Sequence, residues 1–335
     1  MPRLPTVVVG AGLAGACAAA VLARAGPLVV LDAVGPAAGA SGAAAGLVHA
    51  FTGQRARRAA QATEARAALD RAADRAGVPV EASGVLRPAA TARQASDFAA
   101  AARDAPAEAS WLPPDAVAER WPGVTAALGA LWIPGGGHVD VPALVRGLLA
   151  AAQRDGADLR TDRLTDWFED PAGRVVAVAD RESVAAERLV LCPGYGIAAL
   201  PRLAGLPFGF VRGQTVTLDA ALPAGAPAVA GGVYVVPTRR GVVVGATFEH
   251  TFSSLDPDPE TSLVLRERAA HLVPALAGAA VLDARVGVRV TVPATVSPDR
   301  RPRLEPLSER VWLFAGLGSR GLLTAPLLAE ALAVG

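Results

Sequence analysis

The sequence predicts a mixed α/β fold, α+β overall: a Rossmann-like nucleotide domain assembled from separated segments, carrying a substrate domain built on an antiparallel sheet with helices. Three observations predict it. Near the start, Val7-Val8-Val9 runs into the glycine turn Gly10-Ala11-Gly12-Leu13-Ala14-Gly15 and a helical stretch. Near the end, Val311-Trp312-Leu313-Phe314 runs into Gly316-Leu317-Gly318-Ser319-Arg320-Gly321 and another helix. Between them the apolar period shifts to two, as in strands with one covered face.

The elements follow in order. Strand Thr6–Val9, the first turn, a helix through about Ala25 and strand Leu28–Leu31 form a β-α-β unit that finishes at Asp32. The segment Gly39-Ala40-Ser41-Gly42-Ala43-Ala44-Ala45-Gly46 has no side chains large enough for a core, and suits close approach of backbone to a ligand. A helix is expected from about Arg55 to Ala76. Short strands and a helix fill Val78 to Trp132. Asp140 as N-cap and Pro142 in the first turn begin a helix over Val139–Asp155.

Strands are then expected around Leu159–Leu164, Val175–Ala179 and Leu189–Leu191. The period-two region supplies Val211–Leu218, Val233–Pro237, Val242–Thr247 and Arg285–Val292, interrupted by a helix over about Pro259–Leu272. The last helix is expected near Leu322, with Pro326 in its first turn. This pattern assigns residues 1–77, 138–207 and 296–335 to the cofactor domain, and 78–137 and 208–295 to the substrate domain.

Composition narrows the function. The chain is 52% apolar but only 4% aromatic, and no stretch reaches the roughly 18 apolar residues of a membrane span. Net charge is +1, so no global field favours nucleic acid or membrane, although arginines cluster at 55–58, 239–240 and 300–303. A strand begins almost at once, leaving no room for a signal peptide, and a cytoplasmic location is expected. Cys17 and Cys192 read as small core residues, with neither metal-ligand nor redox-pair spacing.

The first turn has a dinucleotide logic. Gly10 permits the tight turn, Gly12 lets backbone approach a pyrophosphate, and Gly15 lets the helix pack. Asp32 is expected to accept both ribose hydroxyls, which disfavours a 2′-phosphate. A second turn leading into a helix at Leu322 implies a cofactor with another electron-rich end, as in FAD, where a helix dipole stabilises the reduced ring. Arg320 either adds charge there or faces solvent. On Arg285–Val292, Arg289 shares a face with Arg285, Gly287 and Thr291. That face is either solvated or aims an arginine fork at a carboxylate. His49 and His138 adjoin glycine segments and read as structural.

The motif order resembles the FAD-dependent D-amino acid oxidase superfamily, in its glycine oxidase and sarcosine oxidase branch. The resemblance rests on Gly10–Gly15, Ala40–Gly46, Gly136–Pro142, Tyr234–Thr247 and Arg285–Arg289, and spans nearly the whole chain. The closing Leu317–Glu330 is most similar to the flavin domain of bacterial bifunctional tRNA 5-methylaminomethyl-2-thiouridine modification enzymes. The resemblance implies that Arg289 binds substrate carboxylate and Tyr234 lines the active site. It implies cofactor contacts at Ser41, Gly42, Ala45 and Gly46, at Leu164 for adenine, and at Gly194 in a covering loop. Neither cysteine lies where a flavin is tethered, so non-covalent FAD is expected. Glu305 departs from the family pattern, which has glycine there.

The expected activity is FAD-dependent oxidation of a small amino acid or N-substituted glycine, by hydride transfer to flavin N5 and imine hydrolysis, with oxygen or another acceptor reoxidising the flavin. Two alternatives remain: removal of a carboxymethyl group from a modified tRNA wobble uridine, and a flavin-binding module without turnover. Oligomeric state and electron acceptor are open.

Overall fold

The two ends of the chain meet in one sheet. In the computed structural model, which describes residues 3–333, strands Thr6–Val9 and Val311–Ala315 both pair in parallel with Arg188–Leu191, one on each side. Leu28–Asp32 and Asp158–Thr161 extend the parallel sheet, and Arg303–Pro306 closes its other edge in antiparallel pairing.

Alternation along these strands decides what covers each face. Val8, Val30, Val190 and Phe314 share a core with helices Leu13–Leu22, Ala62–Ala76, Val141–Arg154 and Gly321–Ala331. Val7, Val29, Leu31, Leu189 and Leu313 instead pack onto a three-stranded antiparallel sheet of Leu164–Glu169, Val175–Ala179 and Val184–Ala186. Helix Leu13–Leu22 is buried almost all round, which its alanines allow.

The second large sheet has eight strands, in the order Val281–Thr291, Gly209–Leu218, Gly241–Gly245, Val233–Thr238, Ala228–Gly231, Val85–Pro88, Ala130–Ile133 and Ser110–Leu112. Only the Ala228–Gly231 to Val85–Pro88 pairing is parallel. Leu265 and Ala269 of helix Pro259–Leu272 pack on Val216, Val235 and Val244 from one face. Phe98 of helix Ala92–Asp104 packs with Val85, Val236 and Phe51.

Several elements depart from the sequence expectation. The helix expected from Arg55 begins at Ala62, because Phe51–Thr52 and Arg57–Arg58 pair as a small hairpin whose Phe51 and Ala56 are buried. The expected strand Leu159–Leu164 breaks after Thr161. There the Asp162 carboxylate accepts from the main-chain N–H groups of Arg163, Arg181 and Glu182, turning the chain from one sheet to the next. The first helix stops at Leu22 rather than Ala25. The last helix starts at Gly321, so Pro326 falls in its second turn and leaves the Leu322 carbonyl without its usual donor. Strand Thr6–Val9 and helix Pro259–Leu272 coincide with their expected spans.

Candidate active site

Both glycine turns open onto one hollow of about 1670 Å³. Pockets for a single ligand are roughly 300–1,000 Å³, so this hollow has room for an extended dinucleotide and a second molecule. It runs from Asp32, Asp162 and Leu164, past Gly12 and Ser41, to the eight-stranded sheet and the C-terminal loop.

The three glycines of the first turn are needed for different reasons. A Cβ on Gly10, whose φ is +102°, would lie 2.1 Å from the Cys192 carbonyl oxygen, and one on Gly15 would lie 1.7 Å from that of Gly10. Packing alone demands those two. A Cβ on Gly12 meets nothing nearer than the Ser41 hydroxyl at 3.3 Å. Gly12 therefore keeps a space clear in front of a helix N-terminus, where main-chain N–H groups and the dipole favour a phosphate. The cradle fits the pyrophosphate of a dinucleotide. The Leu13 N–H donates to Ser41 Oγ at 2.9 Å, which fixes the hydroxyl at the edge of this space.

Asp32 is more occupied than the sequence implies. Its Oδ2 accepts from Ala11 N–H at 2.6 Å, and its Oδ1 from Val34 and Gly35 N–H at 2.9 and 2.7 Å. About four acceptor positions exist on a carboxylate, so one remains for ribose rather than a pair. Ala11, Gly15 and Gly42 do not line the hollow: Ala11 is buried, Gly15 packs on Gly10, and a Gly42 Cβ would strike the Ala37 carbonyl. Gly10, Gly12, Leu13, Ala14, Ser41, Ala45, Gly46, Leu164 and Gly194 all line it.

The C-terminal loop reaches the hollow from the other side. Gly316, Leu317, Gly318, Ser319, Arg320, Gly321 and Leu322 line it, and Gly318 N–H donates to the Val290 carbonyl at 2.9 Å. No side chain caps helix Gly321–Ala331; Leu323 N–H donates to the Arg320 carbonyl at 3.0 Å, which leaves the N–H groups of Gly321 and Leu322 for a ligand. Arg320 lines the hollow and is also tied to the chain itself. Its Nη2 donates to the carbonyls of Asp299 and Arg300, both at 2.5 Å, and burial lowers its pKa. It fastens the 299–300 loop over the hollow. Glu305 lies away from it, on the edge strand in an ion pair with Arg303, so the missing family glycine leaves this surface untouched.

Arg289 projects into the hollow from Val281–Thr291. Its guanidinium lies over Gly213 of the neighbouring strand, where a Cβ would come within 2.4 Å of Nη1. Nη1 donates to the Thr247 carbonyl at 3.2 Å, and the fork stacks 4.5 Å from the Phe248 ring centroid. Thr247 is held in turn: its hydroxyl donates to Glu249 at 2.5 Å, and the buried Arg212 pairs with Glu249 at 2.7 Å. Among the described residues no carboxylate pairs with Arg289. Tyr234 lines the same wall from Val233–Thr238.

Sequence reading missed Asp162, Gly213, Phe248 and Arg87, which also line the hollow. His49 lines it too, with Nδ1 buried and unpartnered; burial and then the Arg87 charge hold its pKa down to about 3. His138 does not, and its Nδ1 lies 3.5 Å from the Ser83 hydroxyl. Both cysteines are buried free thiols, Cys17 pushed up to about 12 and Cys192 higher still by burial.

The family model described as "FAD dependent oxidoreductase" (DAO) matches residues 6–334. The chain belongs to this family. Family membership makes it an FAD-dependent oxidoreductase, consistent with the cradle just described. Over 344 residues it is 33% identical to the tRNA 5-methylaminomethyl-2-thiouridine biosynthesis bifunctional protein of Caulobacter vibrioides, covering 96% of this chain and 53% of that protein. It is 32% identical over 207 residues to the glycine oxidase of Pseudomonas putida, covering 59% of this chain and 55% of that enzyme. The chain thus spans about half the length of the curated relatives it matches. Among solved structures, the glycine oxidase of Geobacillus kaustophilus superposes with a TM-score of 0.86 at 26% identity, over 99% of this chain and 94% of that one. Among the described residues no helix is long and apolar enough to cross a membrane, and no cluster of metal-ligand side chains occurs.

Proposed function

We propose that this oxidoreductase acts on the C–H bond beside the nitrogen of a small amino acid or N-substituted glycine. One observation carries the reading: Arg289 offers its fork, free of any acid among the described residues, inside the hollow that the two glycine turns share. A planar guanidinium binds a carboxylate through two parallel hydrogen bonds. Phe248 stacks on the fork and the Arg212–Glu249–Thr247 chain holds its backbone partner, so the arginine is aimed before substrate arrives. Tyr234 orients the bound molecule. The positive charge of Arg289 also disfavours a neighbouring substrate ammonium, which raises the share of neutral amine without a protein base.

FAD, when bound, supplies the two-electron acceptor for the hydride. The N–H groups of Gly12 and Ala14, with that of Leu13 already given to Ser41, would hold its pyrophosphate, the remaining acceptor position of Asp32 its ribose, and the helix at Gly321 its electron-rich ring edge. We take the cofactor as non-covalent. We also take residues 1–77, 138–207 and 296–335 as the cofactor domain, with 78–137 and 208–295 as the substrate domain; the strands of the six- and eight-stranded sheets divide along those lines. A cytoplasmic enzyme fits this reading. The Arg289→Ala variant tests it: KM for carboxylate substrates rises sharply, whereas an unchanged KM removes the assignment.

A second reading, removal of carboxymethyl from a modified wobble uridine in tRNA, is supported by relatives such as the Caulobacter vibrioides protein. Of the clustered arginines, Arg58, Arg301 and Arg303 pair with Glu108, Asp299 and Glu305, and those pairs weaken the two clusters they belong to as phosphate contacts. It predicts tRNA affinity that falls steeply with salt, and no affinity at low salt removes it. The reading as a module without turnover loses its main support, because Glu305 lies away from the hollow.

A further inference from the structure

Arg87 is a buried arginine that neither the cofactor cradle nor the Arg289 site uses. It is 9% exposed, lies in strand Val85–Pro88 and lines the hollow at the end formed by Thr52, Gln54, Gln94 and Phe98. Nη1 donates to the Phe51 carbonyl at 2.9 Å and Nη2 to that of Gly53 at 2.7 Å, while the fork lies 4.9 Å from the Phe98 ring centroid. Those contacts fix its position without neutralising it. Nε is buried with no partner, and no carboxylate pairs with the side chain among the described residues. A guanidinium has five N–H donors, and two main-chain carbonyls engage only part of them. A buried charge is costly unless it is paired, and the hollow that Arg87 lines is the route by which a counter-charge could reach it. The cofactor pyrophosphate is not that counter-charge, since its donors lie at the other sheet, in the Gly12 turn.

Strand register relates this arginine to the site where substrate carboxylate is held. Ala228 pairs with Val85 and Val229 with Leu86, so Arg87 falls beside Ala230; Ala230 pairs with Tyr234, Tyr234 with Gly245, and Gly245 with Thr215. Arg87, Tyr234 and Thr215 thus share one row across the sheet, and all three line the hollow. The Arg289 fork overlies Gly213, two residues from the Thr215 end of that row. Four strand spacings of about 4.8 Å put Gly213 and the Arg87 backbone roughly 20 Å apart, which sets the scale of the gap between the two forks.

We propose that Arg87 anchors a second anionic group, a carboxylate or phosphate at the far end of the substrate's N-substituent, while Arg289 holds the reacting glycine carboxylate. The inference rests on the proposed role of Arg289 and adds a substrate class to it: glycines whose nitrogen bears an extended, anion-terminated group. Short molecules such as sarcosine engage only one of the two arginines.

The test uses the FAD-loaded protein and perturbation of its flavin spectrum, which needs no turnover. Linear dicarboxylates from succinate to hexadecanedioate are titrated beside their mono-methyl esters, with ω-phosphonocarboxylates of matching length as a second arm. The expected result is an affinity maximum at one intermediate span of up to roughly 20 Å, at least about tenfold above the matching mono-ester. The stronger arm identifies carboxylate or phosphate. The gain over the mono-ester disappears in Arg87→Met and persists in part in Arg87→Lys. Equal binding of diacids and mono-esters at every length in the unaltered protein overturns the role of Arg87 while leaving Arg289 standing. Absence of binding by any carboxylate overturns both. The ligand series in the unaltered protein decides the matter even if Arg87→Met fails to fold.

Discussion

A Cβ at Gly213 would lie 2.4 Å from Nη1 of Arg289, so the arginine fork rests directly on the backbone of the adjacent strand. The pairing of Gly213 with Gly287 removes side chains from both strands just where the fork crosses between them. Gly287 is itself pressed against the glycine/alanine segment, 2.5 Å from Ala40 Cα to its hypothetical Cβ. The same two glycines thus clear a lane for Arg289 on one strand and admit a cofactor-side loop on the other.

Gly213→Ala therefore moves the far end of a flexible side chain without colliding with backbone. The variant folds, but its fork is displaced and no longer meets the carboxylate squarely. KM rises about 10- to 100-fold, equivalent to about 1.4–2.8 kcal/mol of lost binding, while Tm stays within a few degrees. Steady-state kinetics with melting curves checks this. Unchanged kinetics would separate Arg289 from the substrate.

Gly12→Ala and Gly15→Ala make a contrasting pair. The first adds a methyl to the space in front of the helix N-terminus, 3.3 Å from the Ser41 hydroxyl and clear of any backbone atom within 4 Å. The second forces a Cβ to within 1.7 Å of the Gly10 carbonyl oxygen. Gly12→Ala retains its fold and loses FAD, read as a low ratio of flavin to protein absorbance with normal circular dichroism. Gly15→Ala loses soluble folded protein altogether. Full flavin occupancy in Gly12→Ala would show that the pyrophosphate lies elsewhere.

His49 gives the fold an acid sensitivity of known sign. Burial first, and the Arg87 charge second, hold its imidazole at about 3 in the folded protein, against about 6.5 in an unfolded chain. Between those values the unfolded state binds the extra proton. Stability from this group is complete above about pH 6.5 and is lost as pH falls, by up to about 1.4 kcal/mol per unit. Comparing Tm at about pH 7 and about pH 5, His49→Gln shows a smaller drop than the unaltered protein. Equal drops would remove His49 as the source.

Both cysteines are buried, with thiols held protonated at neutral pH by their apolar surroundings. Cys192 lines the hollow beside the Gly10 turn and Cys17 does not, and the proposed non-covalent binding expects neither to carry the flavin. Acid precipitation of the yellow protein releases its flavin into the supernatant, and flavin retained in the washed pellet would show a covalent bond to another residue.

Sequence made the backbone logic legible and the side-chain geometry only partly so. The Gly10–Gly15 turn, Asp140 as an N-cap to Ala143, and helix Pro259–Leu272 follow from short-range spacing, and the structure has them in place. Arg289 was visible as one face of an alternating strand. What chooses between solvent and cavity is the neighbouring strand, and Gly213 lies 76 residues away with no local mark. Phe248 and Asp162 stayed hidden for the same reason. One matters through stacking on a residue of another strand, the other through main-chain donors at Arg181 and Glu182. Residues 55–58, the second half of the Phe51–Arg58 hairpin, have a helical composition and are expected as helix from the sequence. Burial of Phe51 and the grip of Arg87 on two carbonyls override that preference.

Anaerobic mixing of the FAD-loaded protein with N-substituted glycines tests the central claim most directly, because it needs neither a known electron acceptor nor a coupled assay. The account predicts rapid loss of the oxidised-flavin absorbance band with N-substituted glycines and little with their esters, whose carboxylate is masked from Arg289. A flavin that stays oxidised with every such amine, or bleaches equally with acid and ester, would contradict it.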